Sequence, residues 1–204
     1  MSLGKKTISL FLVLGISLWA GSYAVLRTAV LPAFEQFEVD STEQALVRVT
    51  RMLDEDLRAL EIMNKEYAWW NETYSFVRGE ADGARFKHDN LDPEYLHSVG
   101  INLLAIFDAK GEELYSWFGD LSDGSELPLR EQLPFTLEPG HALIHHADPA
   151  DSIGGILNVQ SGLMQVVSYP ILTTNGRGPI AGSLIVGQTL GASRLHNLQQ
   201  RATV

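Results

Sequence analysis

Glu66-Tyr67-Ala68-Trp69-Trp70-Asn71-Glu72-Thr73-Tyr74-Ser75-Phe76-Val77 is the stretch whose reading decides the fold. It holds five aromatic rings with polar residues set among them. Leu46, Leu53, Leu60, Tyr67 and Tyr74 recur at intervals of seven residues. Val49, Met63, Trp70 and Val77 fill the companion position, with Asp56 as its one polar interruption. Such a repeat makes a coiled-coil seam between two chains. It also fits an amphipathic helix packed on its own domain, which needs only a 3.6-residue period. Glu43, Arg48, Arg51, Asp54, Glu55 and Arg58 take the outward positions. No Gly or Pro interrupts 34–77, so the sequence predicts one continuous helix, stalk and pocket wall together. At its distal end Ile62, Trp69, Thr73 and Phe76 add a second apolar face, which implies enclosure on two sides.

Upstream, Lys5 and Lys6 precede an apolar run over 7–26 that closes at Arg27. About twenty helical residues cover about 30 Å, the thickness of a bilayer core. Trp19 and Tyr23 lie toward the far end, where amphipathic rings favour the interface. The lysines predict a cytoplasmic N-terminus. The rival reading is a cleaved signal peptide with Ser22-Tyr23-Ala24 as its site. Apolar character persisting through Val25, Leu26, Val30 and Leu31 favours a retained anchor. Pro32 is placed to kink or restart the helix.

Downstream, Gly79-Glu80-Ala81-Asp82-Gly83 ends the helix. Asp92, Pro93 and Glu94 form a start signal for a short helix over 93–99, and Gly100 suits its stop. Residues 101–107 are apolar at nearly every position, as in a strand buried on both faces. A turn at Asp108-Ala109-Lys110-Gly111 leads to a return strand over 112–118. Further strands are expected at 142–146, 156–160, 163–172 and 179–188, joined as an antiparallel meander, with a loop over 119–140. Residues 191–204 read as a terminal helix. The fold class is α+β: a long N-terminal stalk helix, a PAS- or Cache-like antiparallel sheet of about five strands, and a C-terminal helix. The expected division is a cytoplasmic N-terminus over 1–6, a transmembrane helix over 7–27, a stalk over 28–65, a sensor domain over 66–190 and the terminal helix over 191–204.

The net charge of -10 disfavours nucleic acid and anionic lipid as partners. Without cysteine there is no disulfide, thiolate zinc site or cysteine nucleophile. No P-loop, dinucleotide fingerprint or Gly-x-Ser-x-Gly elbow occurs, so this segment is not expected to be an enzyme. His141, His145, His146, Asp148 and Asp151 are the one metal-like group. Adjacent His145 and His146 point to opposite faces of a strand, so no metal or cofactor is assigned there. A pH-sensing role for these histidines stays open on intrinsic pKa alone.

Trp70, Asn71, Glu72 and Tyr74, together with Asn90, Tyr169 and Arg177, are the candidate ligand-binding residues. Aromatic walls with a few polar groups are what small-ligand sites use. The competing reading is core packing for Trp69, Trp70 and Phe76, with Asn90 merely ordering the approach to the Asp92 cap.

Three motifs in order resemble a CHASE domain of the fourth type, an extracytoplasmic sensory module of bacterial and archaeal receptors. The first is the opening stretch, where Ala68, Trp70, Thr73, Tyr74, Phe76 and Val77 match the family's pattern. The second is Asn90-Leu91 followed by Ile101-Asn102-Leu103 and Phe107-Asp108 with Gly111. The third is Tyr169-Pro170-Ile171-Leu172 followed by Gly178-Pro179, Gly182, Leu184-Ile185 and Gly187. Asn71-Glu72 stands where the family usually has Asp-Asp, and Gln188 where it often has Arg. The resemblance covers roughly 34–190. It implies a second membrane span after the domain and a cytoplasmic output, a diguanylate cyclase, cyclic-di-GMP phosphodiesterase or histidine kinase.

Together these readings predict a sensor domain on the periplasmic side of the inner membrane. Its expected partners are a small-molecule ligand and a second copy of the chain along the stalk. The alternatives are a dimerisation or partner-protein module that binds no small molecule, and a secreted zinc hydrolase released after Ala24.

Overall fold

The computed structural model describes residues 3–120 and 123–191, with side chains over 11–28, 44–120 and 123–191. The expected terminal helix over 191–204 lies outside the described residues, Gly191 apart. The chain divides into two units, residues 1–50 and residues from 51 onward.

Helix α1 runs over Leu3–Val25 and passes through a π-helical turn, Leu26–Val30, into α2, Leu31–Ala68, whose residues from Arg51 onward belong to the second unit. Pro32 has no N–H to give the carbonyl of Thr28, and the π-helical turn lies just before it. Phe11–Thr28 is long and apolar enough to cross a membrane, and its side chains are exposed. Trp19 stacks on Tyr23, whose hydroxyl accepts from Arg27 at 3.2 Å.

The second unit is built on a five-stranded antiparallel sheet: β1 (Leu103–Asp108), β2 (Glu113–Phe118), β3 (Ile153–Val159), β4 (Gly162–Ile171) and β5 (Gly182–Thr189). The order across it is β2-β1-β5-β4-β3, which corrects the expected meander. β1 is apolar on both faces, and as the second strand from one edge it gains a neighbour on each side. Its neighbours are β2 at the edge and β5 inward, the latter with Leu104 opposite Val186 and Asp108 opposite Gly182. Alternation sends Leu104 and Ile106 of β1 and Leu184 and Val186 of β5 to one face. Leu103, Ala105, Phe107 and Ile185 go to the other.

The first face carries the helices. Leu57, Leu60 and Met63 of α2 pack on it, with α3 (Asn71–Val77), α4 (Gly83–Asn90) and α5 (Pro93–Ser98). From Leu57 onward, then, the heptad positions serve the chain's own core. Two buried amides join α2 to the sheet. Asn64 donates to the carbonyls of Val167 (2.7 Å) and Leu184 (3.2 Å). In the opposite sense, Gln165 of β4 donates to the carbonyl of Leu53 at 2.8 Å. The second face is covered by the 123–152 segment, which contains the helical turn α6 (Leu129–Gln132). Residues 142–144 form a turn and 145–146 are irregular, in place of the expected strand. Adjacent Leu143 and Ile144 both insert into this core, which strand alternation forbids.

The predicted helix over 34–77 is interrupted. A continuous helix needs the Ala68 carbonyl to bond four residues ahead. Here it accepts from the Leu172 N–H at 3.1 Å instead. Trp70 is extended and caps α3, and the Tyr74 N–H restarts the ladder on the Trp70 carbonyl at 3.0 Å. The single helix expected over 34–77 is therefore two, α2 and α3, joined at 69–70. Helix α4 is unanticipated. Asp82 starts it, its carboxylate accepting from Ala84 and Arg85 N–H groups at 3.0 and 3.2 Å.

Candidate functional site

The break at 69–70 opens the helix side of the domain. A cleft of about 580 Å³ lies between the end of α2, the end of α4 and the start of α5. Glu66, Tyr67, Trp70, Asp89, Asn90, Asp92 and Tyr95 line it. A second cleft, about 480 Å³, runs between α3 and α4, lined in part by Asn71, Glu72, Ser75, Asp82 and Arg85. Asp89 and Asn90 line both. Asn90 donates to the Phe86 carbonyl at 3.0 Å, which fixes its amide at the last turn of α4.

The seven expected site residues separate into groups. Trp70 and Asn90 line the first cleft; Asn71, Glu72 and Asn90 line the second. Asn71 also accepts from the Thr174 N–H at 3.0 Å, tying α3 to the 172–178 loop. Tyr74 packs against the helix-side core with the Arg78 guanidinium 5.6 Å from its ring centre, and it lines neither cleft. Tyr169 is half-buried in the same core, and Arg177 is exposed on the 172–178 loop. Both likewise stand outside the clefts.

Glu66, Tyr67, Asp89, Asp92 and Tyr95 were not among the expected residues. Glu66 and Tyr67 belong to the opening stretch. Asp92 is read from sequence only as a cap, and it does cap α5, accepting from the Glu94 N–H at 3.1 Å. Burial raises the Tyr67 hydroxyl above its ordinary pKa, reinforced by its hydrogen-bonded neighbour Tyr95 and by the charge of Glu66. Asp89 is held below the usual carboxylate range by its bond to His88, aided by Arg85.

The histidines do not converge. His141 accepts from the Leu143 N–H at 3.2 Å and stacks on Phe135, and His145 is exposed. His146 is buried, its Nε2 2.9 Å from the Ser168 hydroxyl, which itself donates to the Leu143 carbonyl at 2.6 Å. Its Nδ1 lies 3.8 Å from Asp151. Burial lowers the His146 pKa, and Asp151 offsets part of that. Among the described residues no group of three or more His, Asp or Glu side chains is placed to hold a metal ion.

The profile of the CHASE4 domain family matches residues 52–204. The chain belongs to that family. The CHASE4 match places it among sensory domains rather than catalytic ones. It is 34% identical over 146 residues to the methanogenesis regulatory histidine kinase FilI of Methanothrix harundinacea (strain 6Ac). That match takes in 72% of this chain and 16% of the relative, so the chain spans about a sixth of that protein's length. Among solved structures, the CHASE4 chain is similar in fold to the extracellular domain of vpHK1S-Z8, described as a histidine kinase. The TM-score is 0.52 at 13% identity, covering 81% of this chain and 62% of the other.

Proposed function

We propose that this CHASE4 domain is the extracytoplasmic ligand-sensing part of a membrane-anchored receptor. The apolar helix at its N-terminus serves as the anchor. The output is a cytoplasmic histidine kinase, the reading its relative favours over a cyclic-di-GMP enzyme. One observation carries the proposal: the cleft is built on the end of α2. Glu66 and Tyr67 are in its last turn, and Trp70 lies in the break itself, two residues past the helix end. A ligand touching Trp70 alters the end of the helix that leads back toward the span. It does so only if it binds two positions of that helix with different affinity. The exposed Leu46 and Val47 offer α2 a contact with a second copy. In a thermal-shift assay on the detergent-solubilised chain, some members of a panel of small metabolites are expected to raise the midpoint. Trp70→Ala is expected to abolish that rise. A ligand whose stabilisation survives both Trp70→Ala and Asn90→Ala removes this cleft from consideration.

A further inference from the structure

The chemistry of the first cleft narrows the class of ligand. Its walls are the rings of Tyr67, Trp70 and Tyr95 and the carboxylates of Glu66, Asp89 and Asp92; no Lys, Arg or His lines it. The protein's own cations are set against other rings nearby. The Lys65 ammonium lies 4.1 Å from the centre of Trp69, and the Arg78 guanidinium lies over Tyr74. Lys87 is 5.8 Å from both Phe76 and Tyr115. Among the described residues, the three cleft rings carry no such cation. The carboxylates divide in the same way. Asp89 is answered from outside the cleft by His88 at 3.0 Å and Arg85 at 3.4 Å. Asp92 is bonded to the α5 backbone and meets no cation, and Glu66 has no ion pair among the described residues.

We propose that this cleft binds a small organic cation, an ammonium compound whose charged head sits against the cleft rings between Glu66 and Asp92. The proposal rests on the ligand-sensing reading above. An anion entering the cleft meets like charge from Glu66 and Asp92. A neutral apolar molecule removes water from Glu66 and Asp92 and gives nothing in return. An ammonium group satisfies the carboxylates and presents its charge to the ring faces, which attract cations within about 6 Å of their centres. The volume suits a small metabolite.

The probes are choline and cadaverine, choline's neutral carbon isostere 3,3-dimethylbutanol, and a dicarboxylate, succinate. Each is titrated calorimetrically into the 204-residue chain in a maltoside detergent. Choline, cadaverine or both are expected to bind, with the isostere and succinate weaker by roughly ten-fold or more. Trp70→Leu is expected to weaken the cation roughly 2- to 30-fold, the range of a lost cation–π contact. Glu66→Gln, at an exposed position where folding is safe, is expected to weaken it by a similar factor. Raising salt is expected to weaken the cation further. If the isostere or succinate binds as tightly as the cations and is lost in Trp70→Leu, the cation inference falls and the ligand-sensing reading stands. If none of these probes, nor any member of the metabolite panel, binds in a way that depends on Trp70, both fall. Cation binding unchanged by both substitutions overturns the assignment to this cleft.

Discussion

Asn64 is where α2 grips the sheet, and Asn64→Asp tests that grip with almost no change of shape. The side chain is fully buried, and its amide donates to carbonyls on two different strands, Val167 on β4 and Leu184 on β5. Asp at this position points a carboxylate at two carbonyl oxygens. The carboxyl avoids that by staying protonated, so its folded pKa is raised above the ordinary value. Holding it neutral costs about 1.4 kcal/mol per unit between about 3.9 and the solution pH, about 4 kcal/mol at pH 7. The neutral acid restores one of the two hydrogen bonds, and loss of the other costs about 1 kcal/mol. The expected destabilisation is therefore about 5 kcal/mol at pH 7. Because the folded pKa is the higher one, the penalty grows as pH rises above the unfolded pKa. Near pH 4 it shrinks to about 1–1.5 kcal/mol. Asn64→Leu also removes both donors, but it removes the amide oxygen that has no partner as well. It is expected to cost about 1–2 kcal/mol at either pH. The assay is urea unfolding of the chain in detergent, followed by tryptophan fluorescence at pH 7 and pH 4. An Asn64→Asp chain within about 1 kcal/mol of the parent at pH 7, or a deficit that does not shrink toward pH 4, refutes the reasoning.

Two further outcomes follow from the core. His146 has a folded pKa lowered mainly by burial, so the stability it contributes is complete above its unfolded value near 6.5. That stability is lost as pH falls through the lower folded value. Unfolding free energy measured from pH 7 to pH 5 is expected to decline less in His146→Gln than in the parent; equal slopes contradict this. At Gly182 a Cβ runs into the Phe107 carbonyl of the adjoining strand, whereas at Gly155 it meets nothing within 4 Å. Gly182→Ala is expected to cost about 1–3 kcal/mol or more, a midpoint lower by roughly 4–10 °C. Gly155→Ala should stay within about 0.5 kcal/mol, and similar midpoints for the two variants would show that the close approach of β1 and β5 is not held tightly.

Elements set by local chemistry were legible in the sequence. The unbroken apolar run of β1, the Asp108–Gly111 turn and the Asp92-Pro93 helix start all stand where local signals put them. Elements set by distant partners were not. Nothing near Ala68 announces that its carbonyl bonds Leu172, so the helix looked continuous through a pair of tryptophans. The pairing of β1 with β5 is equally non-local, and a meander was the default for successive strands. Helix α4 did have a local signal, the Asp82 cap, but Gly79 and Gly83 on either side made it look like a turn. The cleft inherited these gaps. Trp70 and Asn90 stood out as an aromatic and an amide in a motif. Asp89 and Tyr95 join them only because the break in the helix and the packing of α4 and α5 bring α2, α4 and α5 together around Trp70.

The place of β5 also dictates when this domain can fold. Among the described strands it is the last to be synthesised, and it is the middle strand of the sheet, pairing with β1 on one side and β4 on the other. Until residues 182–189 have left the ribosome, the chain can form only two separate hairpins, β1–β2 and β3–β4, each with a bare edge where β5 belongs. Isolated hairpins are marginal in water, and open edges recruit other chains. Folding therefore completes in a late step that joins strands about 80 residues apart, a high contact order that predicts slow closure. A nascent chain stalled before Gly182 is correspondingly expected to be protease-sensitive and prone to aggregate, and one released after Thr189 to be protected.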